Sequence, residues 1–102
     1  MEHKFIQEKG QLVVKMPQEL DHHAAGRLRA ETDYLIAKYP VRCIVFDFRS
    51  TVFMDSSGIG VILGRCRNMS FHGGKVHAVN LNQQVQKIFR VSGLHKIVEV
   101  EL

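Results

Sequence analysis

Two serines and two glycines separate a strand-like segment from a helix-like one in the run Phe53-Met54-Asp55-Ser56-Ser57-Gly58-Ile59-Gly60. Upstream, Val41-Arg42-Cys43-Ile44-Val45-Phe46-Asp47-Phe48 is almost continuously apolar. Such a run reads as a strand, and its continuity predicts burial on both faces, with helices on each side of the sheet. Downstream, Val61-Ile62-Leu63-Gly64-Arg65-Cys66-Arg67-Asn68-Met69 carries apolar residues at the three- and four-residue spacing of a helix, placed at about 57–70. A buried strand feeding a helix through a short polar turn points to α/β architecture. A serine at a helix N-terminus meets backbone N–H groups that no carbonyl satisfies, and the positive end of the helix dipole. That environment favours a phosphate. The turn therefore predicts a switch serine ahead of an active site.

The rest of the chain supplies partners for this unit. Phe5-Ile6-Gln7 and Leu12-Val13-Val14-Lys15-Met16 read as two short strands, joined by a hairpin turn at Lys9-Gly10 and closed by Pro17. Asp21 is a good N-cap for a helix from His22 to Lys38, with Ala24, Ala25, Leu28, Leu35, Ile36 and Tyr39 on its inner face and Pro40 as its stop. His72-Gly73-Gly74 ends the serine helix, and Lys75-Val76-His77-Ala78-Val79 is a further strand. Asn82 caps a third helix carrying Val85, Ile88 and Phe89, which Ser92-Gly93 ends, and Ile97-Val98-Glu99-Val100 is a last strand. The order β-β-α-β-α-β-α-β predicts a mixed sheet with helices packed against it.

Several function classes drop out. The 102 residues suffice for one domain with one core. No apolar run approaches the roughly 20 residues of a membrane span, and Met1-Glu2-His3-Lys4-Phe5-Ile6-Gln7-Glu8-Lys9 has no signal-peptide core, so a cytoplasmic protein without a membrane partner is expected. Cys43 and Cys66 read as small buried hydrophobes kept reduced. The net charge is +4, but the basic residues are scattered and no aromatic residues interleave with them, so no direct nucleic-acid partner is expected. Arg65 and Arg67, beside the serine turn, are left to steer an acidic partner.

Rival chemistries fail on spacing. Gly58, Gly60 and Gly64 follow a strand, as in a dinucleotide fingerprint, but the pattern is GxGxxxG, and no acidic residue stands in 78–84 to hold a ribose. No cofactor is expected. The six histidines, His3, His22, His23, His72, His77 and His95, show no paired metal spacing, and no metal is expected. Asp55-Ser56-Ser57-Gly58 is not the GxSxG elbow of a serine hydrolase, so no catalytic residue is assigned. On residues alone, Ser56 reads first as a helix cap, Ser57 as a capping or spacing residue and Asp55 as a turn or recognition residue. Gly58 and Gly60 read as sites of close backbone packing.

Four segments resemble a known family. Glu19-Leu20-Asp21-His22-His23-Ala24, Ile44-Val45-Phe46-Asp47-Phe48, the 13-residue run from Phe53 to Arg65, and Ile88-Phe89-Arg90-Val91-Ser92-Gly93-Leu94-His95-Lys96-Ile97 are similar to the STAS domains and, within them, to the bacterial anti-sigma-factor antagonists of sporulation. The central run is the specific one. The resemblance implies a single STAS domain over residues 1–102, with a mixed sheet of about four to five strands and helices against it. It implies that the unphosphorylated protein binds an anti-sigma factor that is also a serine kinase, freeing a sigma factor. The serine after the aspartate, Ser56, would be phosphorylated to switch binding off, and a serine phosphatase would reset it. Asp21, His22, His23, Asp55, Ser56, Ser57 and Gly58 would form the partner surface. A second class fits the same signature: a STAS subunit docked on a lipid-transport ATPase or a stressosome-like assembly. The chain has Pro17-Gln18 where the family usually has glycine before Glu19, and the family's usual final helix after Leu102 is expected to be absent.

Overall fold

The computed structural model describes residues 4–101; His3, the rest of the N-terminal tripeptide and Leu102 lie outside them. Strands β1 (Lys4–Glu8) and β2 (Gln11–Lys15) pair antiparallel across Lys9-Gly10. Both turn residues have positive φ, 52° and 81°. That is the backbone a two-residue hairpin needs, and glycine adopts it freely. Pro17 lies just past β2. A two-residue strand, β3 (Glu19–Leu20), leads into α1 (His22–Lys38). Then come β4 (Cys43–Asp47), a second two-residue strand β5 (Phe53–Met54), α2 (Ser56–Phe71), β6 (Lys75–Val79), α3 (Gln83–Ser92), a 3-10 turn at Leu94–Lys96 and β7 (Glu99–Glu101).

The main sheet has five strands in the order β1-β2-β4-β6-β7, parallel except for the first pair. This is the expected mixed sheet. The ladder of β3 with β5 is a separate parallel pair that periodicity did not reveal. Two residues are too few to show a period.

The caps follow their side chains. Asp21 Oδ1 accepts from the Ala24 N–H at 3.0 Å, and Asn82 Oδ1 from the Val85 N–H at 2.9 Å. Gly93, at φ 84°, takes the left-handed conformation that ends α3. α1 buries Ala24, Ala25, Leu28 and Thr32. The fully buried Thr32 satisfies its hydroxyl within the helix, donating to the Leu28 carbonyl at 2.7 Å.

Three expectations change. The run 41–48 is not buried on both faces: Ile44, Phe46 and Phe48 are fully buried, whereas Cys43, Val45 and Asp47 are half-buried. The alternation is that of a sheet packed on one face. The inward positions Leu12, Val14, Ile44, Phe46, Val76 and Ala78 join the helices' Leu28, Ile62 and Phe89 in one core. Cys43 therefore lies on the open face and only Cys66 is buried. The last strand begins two residues later than expected, because the 3-10 turn buries Leu94 and leaves Ile97 exposed. Among the described residues, no helix is long and apolar enough to cross a membrane.

Candidate functional site

The site is built where two parallel strands end. β2 and β4 are neighbours in register, Leu12 beside Ile44 and Val14 beside Phe46, so their following loops leave the sheet at the same edge. There the β3–β5 ladder sets Glu19 beside Phe53 and Leu20 beside Met54. The Val52 N–H donates to the Gln18 carbonyl at 2.8 Å, and the Asp55 N–H to the Leu20 carbonyl at 3.2 Å. The Thr51 hydroxyl, fully buried, donates to the Pro17 carbonyl at 2.8 Å. These bonds lay the segments 18–23 and 51–57 side by side, although some 35 residues of chain separate them.

Each segment contains an aspartate that caps a helix. Asp55, not Ser56, is the cap of α2: its Oδ1 accepts from the Ser57 N–H at 2.9 Å and the Gly58 N–H at 3.3 Å. Ser56 is the first helical residue. Its side chain is exposed, and its hydroxyl has no hydrogen-bond partner among the described residues. Ser57 is half-buried and its Oγ lies 3.3 Å from His22 Nδ1. The two adjacent serines are thus distinct, one free and one engaged.

Gly58 is buried for a local reason. A Cβ there would stand 2.8 Å from Leu20 Cγ and 2.9 Å from Met54 Cγ. Glycine lets α2 sit directly on the β3–β5 ladder. Gly60 differs from expectation: a Cβ there would meet nothing within 4 Å, so no close packing inside the chain calls for it.

Of the predicted partner-surface residues, Asp21, His22, Asp55, Ser56, Ser57 and Gly58 converge on these two helix starts. His23 faces instead an open groove of about 900 Å³, lined also by Lys15, Glu19, Asp21, Arg27 and Arg49. Arg65 does not face a partner. It is buried, with Nη1 paired to Asp33 and 3.5 Å from Thr32 Oγ1, and so ties α2 to α1. Arg67 remains exposed. Burial pushes the Cys66 thiol above its usual range and suits it to packing. The residues missed in the sequence are Leu20 and Met54, the floor under Gly58. Their signal is the repeated pattern of Glu19-Leu20-Asp21 and Phe53-Met54-Asp55: outward residue, inward apolar residue, cap.

Comparison with known proteins gives a consistent placement. The STAS domain family matches residues 4–102. The anti-sigma F factor antagonist of Paenibacillus polymyxa is 37% identical over 92 residues, 90% of this chain and 79% of that protein. The anti-sigma factor antagonist SpoIIAA in its unphosphorylated form superposes with a TM-score of 0.87 at 31% identity, over 99% of this chain and 89% of that one. The Bacillus cell fate determinant SpoIIAA in its phosphorylated form gives 0.79 at 30% identity, over 99% and 92%. The fold, the whole-length match and the relatives agree, and the chain belongs to the STAS domain family.

Proposed function

We propose that this protein is an anti-sigma-factor antagonist whose unphosphorylated form binds an anti-sigma factor, and that phosphorylation of Ser56 by that factor's serine kinase activity ends the binding. Membership of the family and two antagonist relatives above 30% identity support the antagonist role. The observation that carries the switch is the contrast between the serines. Ser56 offers an exposed, unengaged hydroxyl at the first turn of α2, while His22 occupies Ser57. A serine phosphatase would restore the hydroxyl.

The local electrostatics give the switch its direction. A helix N-terminus would ordinarily welcome a phosphate. Here Asp55 already takes the amides of Ser57 and Gly58 through its side chain, and its carbonyl accepts from Ile59 at 3.2 Å. A phosphate on Ser56, with about −1.5 to −2 charge, would lie beside that carboxylate and compete for its donors. Against a docked partner it would also need desolvation, with the Asp55 carboxylate beside it adding repulsion. An unpaired buried charge costs several kcal/mol, at order of magnitude, enough to break an interface without refolding the domain.

Incubation with the cognate anti-sigma factor and ATP, followed by peptide mass spectrometry, tests the assignment. Phosphate is expected on Ser56. Phosphate confined to Ser57 would overturn it. Ser56→Ala should stay bound in the presence of ATP, while wild type is released.

A further inference from the structure

We propose that Val52 and Phe53 form the apolar anchor with which this protein seats the anti-sigma factor; the inference rests on the functional reading above and names the contact that reading leaves open. Two large apolar side chains stand outside the core immediately before the switch, Val52 45% exposed and Phe53 46% exposed. Alternation in β5 sends Met54 inward to 5% exposure and Phe53 outward. Phe53 thus keeps nearly half of its surface open to solvent beside a buried neighbour. The equivalent position of the paired strand is Glu19, exposed and charged.

Phe53 is also held in place before any partner arrives. The Val52 and Phe53 N–H groups both donate to the Gln18 carbonyl, at 2.8 and 3.3 Å. An aromatic side chain on a fixed backbone loses little entropy on docking, and such residues dominate interface energetics. The rim around it is of mixed charge: Glu19 is its neighbour across the ladder, and Lys15, Arg27 and Arg49 line the groove beside Glu19 and Asp21. The complementary partner surface is an apolar pocket of the anti-sigma factor, since the anchor directly precedes the serine on which that partner is proposed to act.

Gly60 extends this face beyond Ser56. It is exposed, one helical turn after the serine, and a Cβ there would meet nothing within 4 Å. Glycine is a poor helix former, so an exposed helical glycine without an internal neighbour weakens α2 for no gain within the chain. It leaves bare backbone for close approach. Ser56 then sits between the anchor and the close approach, where a phosphate cannot keep its water.

The test uses the unphosphorylated full chain and the cognate anti-sigma factor, in calorimetry without ATP. Phe53→Ser should weaken binding by about 30-fold or more, with Val52→Ser losing less, and neither should lower the melting temperature appreciably. Gly60→Ala should raise the melting temperature yet weaken binding several-fold, opposite signs that a purely structural role cannot produce. If Phe53→Ser proves unstable, Gly60→Ala carries the test. Wild-type affinity in Phe53→Ser, or in a stabilised Gly60→Ala, overturns the proposal. Ser56→Asp separates the two layers: if it loosens the complex while Phe53→Ser does not, only the anchor fails. If wild type does not bind at all, the functional reading falls and the anchor with it. If Phe53→Ser abolishes self-association and leaves the heterologous complex intact, the face belongs to a second copy of this chain and the proposal is wrong.

Discussion

The starts of α1 and α2 are near copies of one another. Each follows a two-residue strand, Glu19–Leu20 or Phe53–Met54, in which the first residue points out and the second is buried. Each is capped by an aspartate, and the two strands pair in register. The differences lie in the next three positions. α1 continues with His22, His23 and Ala24; α2 continues with Ser56, Ser57 and Gly58. Ala24 fits with its methyl at the third position, whereas at Gly58 the same methyl would collide with Leu20 and Met54. Asp21 makes one cap bond and Asp55 makes two. One junction is therefore a plain helix start. The other is pressed onto its neighbour and carries a free hydroxyl. Only the second junction combines a tightly packed helix start with a serine directly after its cap.

The contrast breaks most visibly at Gly58. Gly58→Val should overpack the floor formed by Leu20 and Met54 and cost about 3 kcal/mol. The equivalent change in α1, Ala24→Val, should cost less than half of that. Thermal melts of both variants measure the difference. If both are tolerated equally, the two junctions are packed alike and the account of Gly58 is wrong.

Removing the caps sharpens the comparison at smaller scale. Asp55→Ala should cost about 1.5–2 kcal/mol, and Asp21→Ala about 1 kcal/mol, since the first loses two amide partners and the second one. Denaturant titration resolves that order. Asparagine at either position retains the cap oxygen and should restore most of the stability. For Asp21, a variant Asp21→Asn that melts like wild type but binds the anti-sigma factor more weakly would assign its charge to the interface.

The smallest effect is expected at Ser56. Since Asp55 holds the cap, Ser56→Ala should change stability by no more than about 0.5 kcal/mol, as ordinary exposed substitutions do. A loss of 1 kcal/mol or more would return the capping role to Ser56 and leave its hydroxyl engaged.

Much of this architecture is legible without coordinates because it is governed by near neighbours. Asp21 and Asn82 cap the helices that their positions announce, Lys9-Gly10 turns the hairpin, and Gly93 stops α3. Each of these depends on a side chain reaching backbone three residues away, or on one residue's accessible dihedrals. The strand assignments for β2, β4 and β6 hold for a similar reason, their apolar runs being long enough to mark them. Their faces were less legible. Val45 and Cys43 are apolar, and no local pattern tells that helices cover Ile44 and Phe46 but leave the opposite side of the sheet half open.

The sequence by itself determined the caps, the turns, the order of elements and the position of a serine pair at a helix start, because those follow from interactions within about one helical turn. Only the tertiary structure decided which serine is free. That choice comes from His22, which reaches Ser57 across 35 positions of sequence, and from the β3–β5 ladder, which has too few residues to announce itself and exists because β2 and β4 end side by side. It also decided the fate of Arg65, which looks like a surface cation in a helical run and is instead buried against Asp33, since the charge of an arginine does not reveal whether another helix stands opposite it.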